Sequence, residues 1–458
     1  MNSLTEKDVV VIGAGLTGLT LAFYLKKNNV NVLVLEKSDR TGGVIQTGNE
    51  NGFVYENGPN TGVVGNPEVA ELFEDLEGLC TFEAADPSAK RRLIWKGKKW
   101  HAIPSGLISA VGTPLFTLKD KFRVLGEPFR KPGTNPEETL SELVKRRLGV
   151  SFLNYVVDPF ISGVYAGNTD YLIPKYALPK LYALEQDYGS FVRGSIQKAK
   201  EKKNNPRLQK ATKDVFSAKG GLGNLIAALT QKVGEENILL KSEETTVMPE
   251  KDSFKVTTIV AGKTVEIKAK KVVTTTGAYV LPAILPFLTN EEKASFEELK
   301  YASVVQAIIG FKRWKGMNLK AFGGLVPTIE NKKILGALFT SSFFVQRAPE
   351  GGAVVSVFMG GTKRPEIYEM SDQEIRSLLE DQAKTMLEIP DFKPDLLKIF
   401  RYKHAIPQYG LDSPRRFENI EKLQKKYPGL VLAGNIRNGI GMADRIKQAR
   451  TLADELSK

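Results

Sequence analysis

The sequence predicts an α/β protein built around a parallel sheet, and segments at opposite ends of the chain indicate it. Near the start, the apolar run Asp8–Ile12 leads into a glycine-rich turn and a helical pattern, and a second apolar strand spans Val32–Leu35. Near the end, Gly429–Gly434 has the pattern of a buried strand, and a helical stretch runs from about 443 to 456. Strands that alternate with helices are typical of parallel sheets.

The composition is that of a globular protein with several folding units. The chain has 458 residues, of which 42% are hydrophobic and 26% are charged. Its net charge of +13 favours anionic partners, but no nucleic-acid recognition motif accompanies it. The single cysteine, Cys80, and the only histidines, His101 and His404, exclude disulfide scaffolds and imidazole-rich metal sites, so we predict no metal.

The first glycine turn predicts a dinucleotide site. Gly13 would make the tight turn, Gly15 would let a pyrophosphate approach the helix N-terminus, and Gly18 would let the helix pack closely on the strand. Glu36 ends the following strand, where an acid accepts from a ribose hydroxyl and argues against a 2′-phosphate. NAD and FAD remain open at this point.

A second glycine turn bears on the choice between NAD and FAD. Gly42 and Gly43 come soon after Glu36, and Gly58-Pro59-Asn60 follows. This order resembles the flavoprotein oxidase superfamily of amine oxidases, phytoene desaturases and protoporphyrinogen oxidases. The resemblance implies FAD, with the helix after Asn438–Gly441 directing its N-terminal partial positive charge at the flavin pyrimidine.

A stretch in the middle of the chain is predicted to belong to the same domain as the N-terminal glycine turns. From Gly220–Asn224 we predict a helix to about Val233, a strand Asn237–Val247, a two-strand excursion and a final strand ending near Gly277. The prediction is thus a discontinuous Rossmann-like FAD-binding domain, a mixed α+β substrate domain and a helical region that would face a membrane. The boundaries are 1–85, 218–288 and 421–458 for the first, 86–105, 181–217 and 289–420 for the second, and 106–180 for the third.

A more specific motif lies at Asp158–Gly167. The string DPFISGVYAG resembles the signature of the oxygen-dependent protoporphyrinogen oxidase family, which also includes coproporphyrinogen III oxidases. The resemblance continues in order through the whole chain, at His101–Gly106, Leu184–Gln186, Phe322–Pro327 and Ile406–Tyr409.

The resemblance implies a reaction and a set of contacts. A porphyrinogen, protoporphyrinogen IX first and coproporphyrinogen III second, is aromatised in heme biosynthesis by non-covalent FAD, with O2 as acceptor and H2O2 as product. The hydride goes to flavin N5, and no side-chain base is assigned. The implied cofactor contacts are Gly13, Ala14, Gly15, Leu16, Thr17, Gly18, Glu36, Lys37, Gly42, Gly43, Val44, Gly58, Pro59, Asn60, Thr61, Val247, Gly434, Gly439, Ile440, Gly441 and Met442. The implied substrate contacts are Gly167, Phe322, Gly323, Leu325, and Phe358 or Met359.

Some questions stay open at this stage. Ile108 stands where eukaryotic members carry a propionate-binding arginine, so Arg91, Arg92, Lys175 and Lys180 are all candidates for that contact. The more distant functional alternatives are a flavin amine oxidase, a carotenoid desaturase, and a flavin-dependent binding protein without turnover.

The segment Phe116–Lys131 mixes apolar and basic residues. It fits a membrane surface, and it also fits a buried helix whose cations reach solvent. The start of the chain is unlike a secretory signal, and no apolar run approaches the ~20 residues that span a bilayer, so we expect a cytoplasmic protein, peripheral on the inner face of the cell membrane if it binds one. Hand-over of product to ferrochelatase is also expected, and monomer and homodimer stay open.

Overall fold

The computed structural model describes residues 5–104, 109 and 112–458. Its strands, numbered in chain order, are β1 (Thr5–Ile12), β2 (Val32–Leu35), β3 (Gln46–Glu50), β4 (Phe53–Asn57), β5 (Gly62–Val63), β6 (Phe82–Ala84), β7 (Arg92–Lys96), β8 (Lys99–Ala102), β9 (Val215–Ala218), β10 (Ile238–Leu239), β11 (Glu243–Pro249), β12 (Phe254–Val260), β13 (Lys263–Thr274), β14 (Tyr301–Phe311), β15 (Gly323–Leu325), β16 (Ile334–Leu338), β17 (Ala353–Gly360), β18 (Leu396–Pro407) and β19 (Leu430–Leu432).

The longer helices span Leu16–Lys27, Pro67–Asp75, Leu118–Leu125, Leu140–Arg147, Asp158–Val164, Pro179–Tyr188, Phe191–Lys203, Gly223–Val233, Asn290–Glu297, Asp372–Leu378, Ser413–Lys426 and Met442–Leu456. Shorter helices span Val150–Phe152, Pro174–Ala177, Pro206–Gln209, Leu281–Ile284, Thr340–Phe343 and Lys384–Met386. None of the helices in the described ranges has both the length and the apolar character needed to cross a membrane.

The first sheet contains the parallel strands that the sequence predicts. β10, β2, β1, β13 and β19 lie side by side in this order and run parallel. β13 is long enough to have two neighbours on one side, because its first half pairs with the antiparallel hairpin partner β12 and its last residues pair with β19. The strands of this sheet therefore come from three separated parts of the chain, and the predicted α/β class is confirmed.

The parallel strands are apolar on both faces because both faces are covered. Val9 and Val11 point into a core shared with the helices Leu16–Lys27 and Met442–Leu456. Val10 and Ile12 point into a second core, which includes residues of the helix Ser413–Lys426. Continuous apolar runs are typical of strands that are buried in this way.

The second sheet contains both parallel and antiparallel neighbours. Its order is β18-β14-β17-β16-β15-β7-β8, with β15 and β7 parallel and the other neighbours antiparallel. One face carries a core formed by residues such as Leu93, Val305, Val357 and Met359. The other face is turned toward the glycine turns of the first sheet, as the side-chain contacts described below indicate.

One predicted strand differs from the structure in a way that matters for the site. The stretch Asn237–Val247 is two strands, β10 and β11, with Leu240–Ser242 between them. The chain changes sheet position here, since β10 pairs with β2 whereas β11 pairs with β12. The lysine and serine at this break, Lys241 and Ser242, form backbone hydrogen bonds to Ser38 and Glu36, both 2.9 Å long.

The helical region is fixed by a buried ion pair. The side chains of Arg147 and Glu127 are both fully buried and hydrogen-bonded to each other. Glu127 also accepts from the Ser190 hydroxyl (2.6 Å) and the Phe191 N–H (3.0 Å). Several charged hydrogen bonds compensate the loss of hydration, as a buried pair requires.

The helix Leu118–Leu125 lies next to this ion pair and buries none of its residues. The interpretation of this segment as a buried helix is therefore wrong. Its apolar side chains Leu118, Phe122 and Leu125 are all exposed, and Phe129 after it is 84% exposed. Ile108 lies outside the described residues.

A buried carboxyl joins two separated parts of the chain beside the first sheet. Glu56 at β4 accepts hydrogen bonds from the Leu222 N–H (2.9 Å) and from the Thr47 hydroxyl (2.7 Å). Thr47 in turn accepts from the Gly223 N–H at the start of the helix Gly223–Val233. Burial is the main cause that raises the pKa of Glu56 to about 7.

This raised pKa predicts a specific pH dependence of stability. Because the pKa of Glu56 is higher in the folded than in the unfolded chain, its contribution is fully present near pH 4 and is lost as the pH rises through 7. We expect Glu56→Gln to remove about 3 kcal/mol of this pH-dependent loss between pH 4 and pH 8. The free energy of unfolding measured in urea at several pH values tests this.

Glu77→Gln, at an exposed carboxyl, is the matched control and should leave the pH profile unchanged. Parallel profiles for the natural chain and Glu56→Gln would show that Glu56 ionises as easily in the folded chain as in the unfolded one.

Candidate functional site

The first glycine turn has no room for a side chain at Gly18 and has open space at Gly15. A Cβ at Gly18 would lie 1.9 Å from the Gly13 carbonyl oxygen, so only glycine lets the helix start this close to β1. At Gly15, in contrast, nothing lies within 4 Å of the Cβ position. The open side of Gly15 at a helix N-terminus fits a phosphate group that approaches the bare backbone. Ala14, Leu16 and Thr17 of the same turn are buried.

Glu36 holds this turn in place. One carboxylate oxygen accepts from the Ala14 N–H (2.8 Å) and the other from the Ser38 N–H (2.9 Å). Each oxygen has a second lone pair, so the carboxylate can also accept from a ribose hydroxyl. Lys37 beside it is exposed.

The second glycine turn packs against the first. The Gly42 N–H donates to the Ala14 carbonyl (2.8 Å), and a Cβ at Gly43 would lie 3.3 Å from the Gly15 Cα. The Arg40 guanidinium donates to the Gly43 carbonyl at 2.8 Å and keeps the turn closed. Val44 after it is 57% exposed. Two stretches of chain separated by a helix and a strand therefore form one continuous bare backbone surface.

The third segment predicted to contact the cofactor, residues 58–61, is fixed by hydrogen bonds to the second sheet. The Gly58 N–H donates to Gln306 Oε1 (2.9 Å), and Gln306 Nε2 donates to the Glu56 carbonyl (3.0 Å). A Cβ at Gly58 would lie 2.0 Å from the Val44 carbonyl oxygen, so this segment also contacts the second turn. Pro59 and Thr61 are partly buried.

Asn60 ties this segment to the second sheet a second time. Its Oδ1 accepts from the Ser356 hydroxyl of β17 (2.6 Å), and its Nδ2 donates to the Gly58 carbonyl (3.0 Å). Gln306 and Ser356 were not predicted from the sequence. A glutamine within the apolar strand YASVVQAIIGF is the one signal that could have indicated such a contact, because a buried amide needs partners.

The C-terminal helix begins beside these turns with a glycine. Gly441 is the N-cap of the helix Met442–Leu456, and no side chain caps it. Buried side chains fix the loop before this helix. Arg445 donates to the carbonyls of Arg437 and Asn438. The Tyr409 hydroxyl donates to the carbonyls of Asn435 and Gly439. The uncapped N–H groups carry the positive end of the helix dipole.

Other contacts place this helix end next to Gly65 and the first sheet. A Cβ at Gly65 would lie 3.8 Å from the Ala443 Cβ, and a Cβ at Gly434 would lie 2.9 Å from the Thr275 carbonyl oxygen. Ile440 and Met442 are partly buried. The arrangement fits FAD as one group that would run from Glu36 across the paired turns to this helix end.

Val247 is not brought to these turns. It pairs with Val256, which pairs with Ile267, which pairs with Thr5 at the opposite end of β1 from Gly13. Its side chain is fully buried. The residues next to Glu36 are Lys241 and Ser242, and a contact between Val247 and adenine stays a prediction.

The face of the second sheet that turns toward these segments carries part of the predicted substrate set. Leu325, Gly336, Phe358 and Gln306 are cross-strand neighbours in one row and therefore share that face. The next row contains Gly323, Leu338 and Ser356. A Cβ at Gly336 would lie 3.1 Å from Leu325 Cδ2, so the absence of a side chain lets Leu325 lie close to β16.

The end of the helix Asp158–Val164 and the segment after it cover part of this face, and Leu325 and Phe358 stay partly exposed. A Cβ at Gly163 would lie 2.4 Å from Leu325, and Ala166 packs in a cluster with Phe358. Gly167 is buried, with its Cβ position 2.6 Å from Gln408 Oε1. The structure thus brings Gly167, Leu325 and Phe358 together.

Of the remaining predicted substrate residues, Gly323 lies in the next row of this face. Met359 is fully buried in the core on the opposite face of β17, because successive side chains in a strand alternate. Of the two alternatives, Phe358 and not Met359 faces the site. Phe322 stacks on Phe343 with ring centroids 4.5 Å apart, next to Leu338.

The four candidates for the propionate contact lie in different places. Arg92 pairs with Gly323, so it stands on the site face, and its guanidinium carbon lies 5.7 Å from the Phe322 ring centroid. Arg91 instead donates to the Lys320 carbonyl. Lys175 lies over the ring of its own neighbour Tyr176. Lys180 donates to Asn66 Oδ1 at 3.0 Å.

The chain is similar in sequence to known proteins along nearly its full length. Protoporphyrinogen oxidase 2 of Arabidopsis thaliana is 27% identical, covering 99% of this chain and 94% of that protein. Coproporphyrinogen III oxidase of Bacillus subtilis is 25% identical, covering 98% of each.

Solved structures share the fold. A protein from Exiguobacterium sp. 255-15, assigned provisionally as a protoporphyrinogen oxidase, superposes with a TM-score of 0.81 at 22% identity, covering 99% of each chain. Putrescine oxidase bound to putrescine has a TM-score of 0.70 at 13% identity, also over 99% of each chain. The family model for flavin containing amine oxidoreductases matches residues 16–457, and the chain belongs to this FAD-dependent family.

Proposed function

We propose that this protein is an FAD-dependent porphyrinogen oxidase that converts protoporphyrinogen IX to protoporphyrin IX with O2 as acceptor. The observation that carries the proposal is full-length similarity to porphyrinogen oxidases together with an apolar sheet face opposite the flavin segments. Oxidation of coproporphyrinogen III to coproporphyrin III is the second candidate, because the Bacillus subtilis relative and a Staphylococcus aureus relative carry that name.

The reaction removes six electrons and six protons from the macrocycle. Three molecules of O2 accept them and leave as three molecules of H2O2. Bound FAD supplies the hydride acceptor in each round. The chain must therefore bind the macrocycle flat, orient it and exclude water, and these tasks need apolar walls and few catalytic side chains.

We infer that the cofactor set is the three glycine-containing segments and the C-terminal helix end. Gly13 to Gly18 and Glu36 would hold the adenosine and pyrophosphate, Gly42 to Val44 the ribityl chain, and Gly58 to Thr61 with Gly439 to Met442 the isoalloxazine edge. Attachment is non-covalent in this proposal, because Cys80 is buried in the core of the first sheet.

We infer that the macrocycle lies against Leu325, Gly336 and Phe358. Arg92 stands in the next row, three strands from Ser356, which is about 14 Å at the usual strand spacing. Because the Ser356 hydroxyl donates to Asn60 in the segment 58–61, Arg92 would reach the outer rim of a tetrapyrrole placed between Arg92 and this segment. A guanidinium there is suited to a propionate.

The exposed apolar residues of the helix Leu118–Leu125, with Phe129, are proposed as a peripheral membrane contact. They project from the part of the chain anchored by Glu127 and Arg147, and Lys119, Arg123 and Arg130 lie among them. Apolar side chains flanked by cations suit an anionic lipid surface. A cytoplasmic location and hand-over to ferrochelatase stay predictions.

The cofactor assignment predicts that Gly15→Val folds but loses its flavin. Nothing in the protein lies within 4 Å of the new Cβ, so the side chain would obstruct only the bound pyrophosphate. We expect the natural chain to be purified yellow and to release FAD on denaturation, and the variant to retain less than about a tenth of that FAD. Absorbance at the flavin band and circular dichroism measure both properties.

Gly112→Val, at another glycine with an open Cβ position, is the control and should keep its FAD. Stoichiometric FAD in Gly15→Val, or flavin that stays with the denatured chain, would contradict the assignment.

The proposed reaction predicts porphyrin absorbance and H2O2 in a ratio of one to three when a porphyrinogen is added aerobically. Arg92→Gln should raise the KM for either porphyrinogen about tenfold, since a charged hydrogen bond is worth about 1.5 kcal/mol or more. Arg91→Gln is the matched control and should change the KM less than about twofold. Absence of both products, with FAD bound, would overturn the proposed function.

The membrane proposal predicts weaker binding to vesicles after removal of the exposed rings. We expect the double variant Phe122→Ser and Phe129→Ser to lose at least about tenfold in binding to vesicles of equal parts phosphatidylcholine and phosphatidylglycerol, because each buried ring contributes roughly 2 kcal/mol. Val345→Ser, at another exposed apolar residue, is the control. Equal sedimentation of all three proteins with the vesicles would contradict this proposal.

A further inference from the structure

A carboxylate lies at the start of the helix that we assign to the flavin. Asp444 is in the first turn of the helix Met442–Leu456, and its N–H donates to the Gly441 carbonyl at 3.0 Å. Its side chain turns back toward the loop before the helix. A Cβ at Gly439 would lie 2.5 Å from Asp444 Oδ2, and a Cβ at Gly441 would lie 3.3 Å from the same oxygen. The carboxylate thus lies against two of the glycines that we assign to the isoalloxazine edge.

A buried amide sets the orientation of this carboxylate. Asn66 is 5% exposed, and its Nδ2 lies 3.5 Å from Asp444 Oδ1. The oxygen of the same amide accepts from the Lys180 ammonium at 3.0 Å, so Asn66 presents its N–H donors to Asp444. The other carboxylate oxygen, Oδ2, is the one that lies against the glycines.

The charge of Asp444 is not paired within the described ranges. Lys180 bonds the intervening Asn66, and the guanidinium of Arg445 donates to backbone carbonyls of the loop and to a side-chain amide. Neither cation forms an ion pair with Asp444, so the carboxylate keeps its negative charge beside the two glycines.

This negative charge opposes the effect expected from the helix. The free N–H groups at a helix start are equivalent to about half a positive charge, which would stabilise the negative charge on the pyrimidine of reduced flavin. A carboxylate in the same turn carries a full negative charge, and at a partly buried position the two act on the flavin through a lower effective dielectric constant than that of water. The helix start with Asp444 therefore favours oxidised flavin more than the same helix would without this carboxylate.

We propose that the carboxylate of Asp444 lowers the redox potential of the bound FAD and so favours the transfer of electrons from reduced flavin to O2. The inference rests on the placement of the flavin ring under the proposed function, and it goes beyond the proposed reaction because it requires no porphyrinogen.

The step that Asp444 favours is the reoxidation of the flavin. Anionic reduced FAD gives two electrons and one proton to O2, a second proton comes from water, and H2O2 leaves while FAD returns to the oxidised form. Asp444 acts on this equilibrium through its charge, and no electron or proton passes through it. It is therefore a residue that tunes the cofactor, and the redox potential is the property that reports its effect.

The test compares the redox potential of FAD in the natural chain and in Asp444→Asn, which keeps the size of the side chain and removes its charge. Each flavin-loaded protein is reduced slowly without oxygen in the presence of a reference dye. At the potential where half of the natural flavin is reduced, we expect the ratio of reduced to oxidised flavin in the variant to be about tenfold higher. For a two-electron couple this ratio corresponds to a potential about 30 mV higher.

Three further variants separate charge from structure. Asp444→Ser also removes the charge and should shift the ratio in the same direction. Asp444→Glu keeps the charge and should stay within about threefold of the natural ratio. Asp454→Asn is the matched control, because Asp454 is an exposed carboxylate about 15 Å further along the same helix, and it should leave the potential unchanged.

The potential is measured without a porphyrinogen, so it separates this inference from the proposed reaction. If no porphyrinogen is oxidised but the potential rises in both neutral variants, the proposed reaction is wrong and the role of Asp444 stands. An unchanged or lower potential in Asp444→Asn would overturn the inference even if porphyrinogens are oxidised. Loss of FAD from both neutral variants would also overturn it, because Asp444 would then hold the cofactor in place.

Discussion

The position of the segments that we assign to the flavin, relative to the sheet face that we assign to the substrate, depends on one buried amide. Gln306 is fully buried in an otherwise apolar strand, so its oxygen and nitrogen both need partners inside the protein. Both partners are backbone groups of the β4 end, the Gly58 N–H and the Glu56 carbonyl. Any other placement of this loop would leave a buried amide unsatisfied, at a cost of roughly 1 to 3 kcal/mol for each group. The two sheets are therefore held in one relative position.

This constraint explains how distant parts of the chain form one site. Glu56 binds the start of the helix Gly223–Val233, and Asn60 binds Ser356 from β17. The end of β4 and the segment 58–61 thus contact the second glycine turn, the helix Gly223–Val233 and the second sheet. These hydrogen bonds hold together segments that are distant in sequence. They also keep the apolar face of the second sheet at a fixed distance from the segments that we assign to the flavin.

The sequence predicts the parts of the site that are encoded locally. Turn glycines between a strand and a helix have a fixed spacing, so Gly13, Gly15 and Gly18 could be given separate roles that match the close and open Cβ positions. The uncapped start of the last helix is likewise predicted from Asn438–Gly441. The α/β class follows from the same local patterns.

Other features depend on pairing between distant strands. Phe358 and Met359 are equally apolar, and only the register of β17 with β14 and β16 decides that Phe358 faces the site. Val247 stands in one row with Val256, Ile267 and Thr5, and its contact with adenine stays a prediction. The exposure of Phe122 and Phe129 could not be predicted either, since an apolar and basic pattern fits both a buried and an exposed helix.

A crystal structure of the flavin-loaded protein with bound coproporphyrin III would show on which face of the second sheet the macrocycle binds. We expect one FAD that contacts Gly15, Gly43, Gly58 and Gly441, with the macrocycle between its ring and the face that carries Leu325, Gly336 and Phe358. A macrocycle bound on the Met359 side of the second sheet, or an isoalloxazine ring directed away from Gln306 and Asn60, would contradict it.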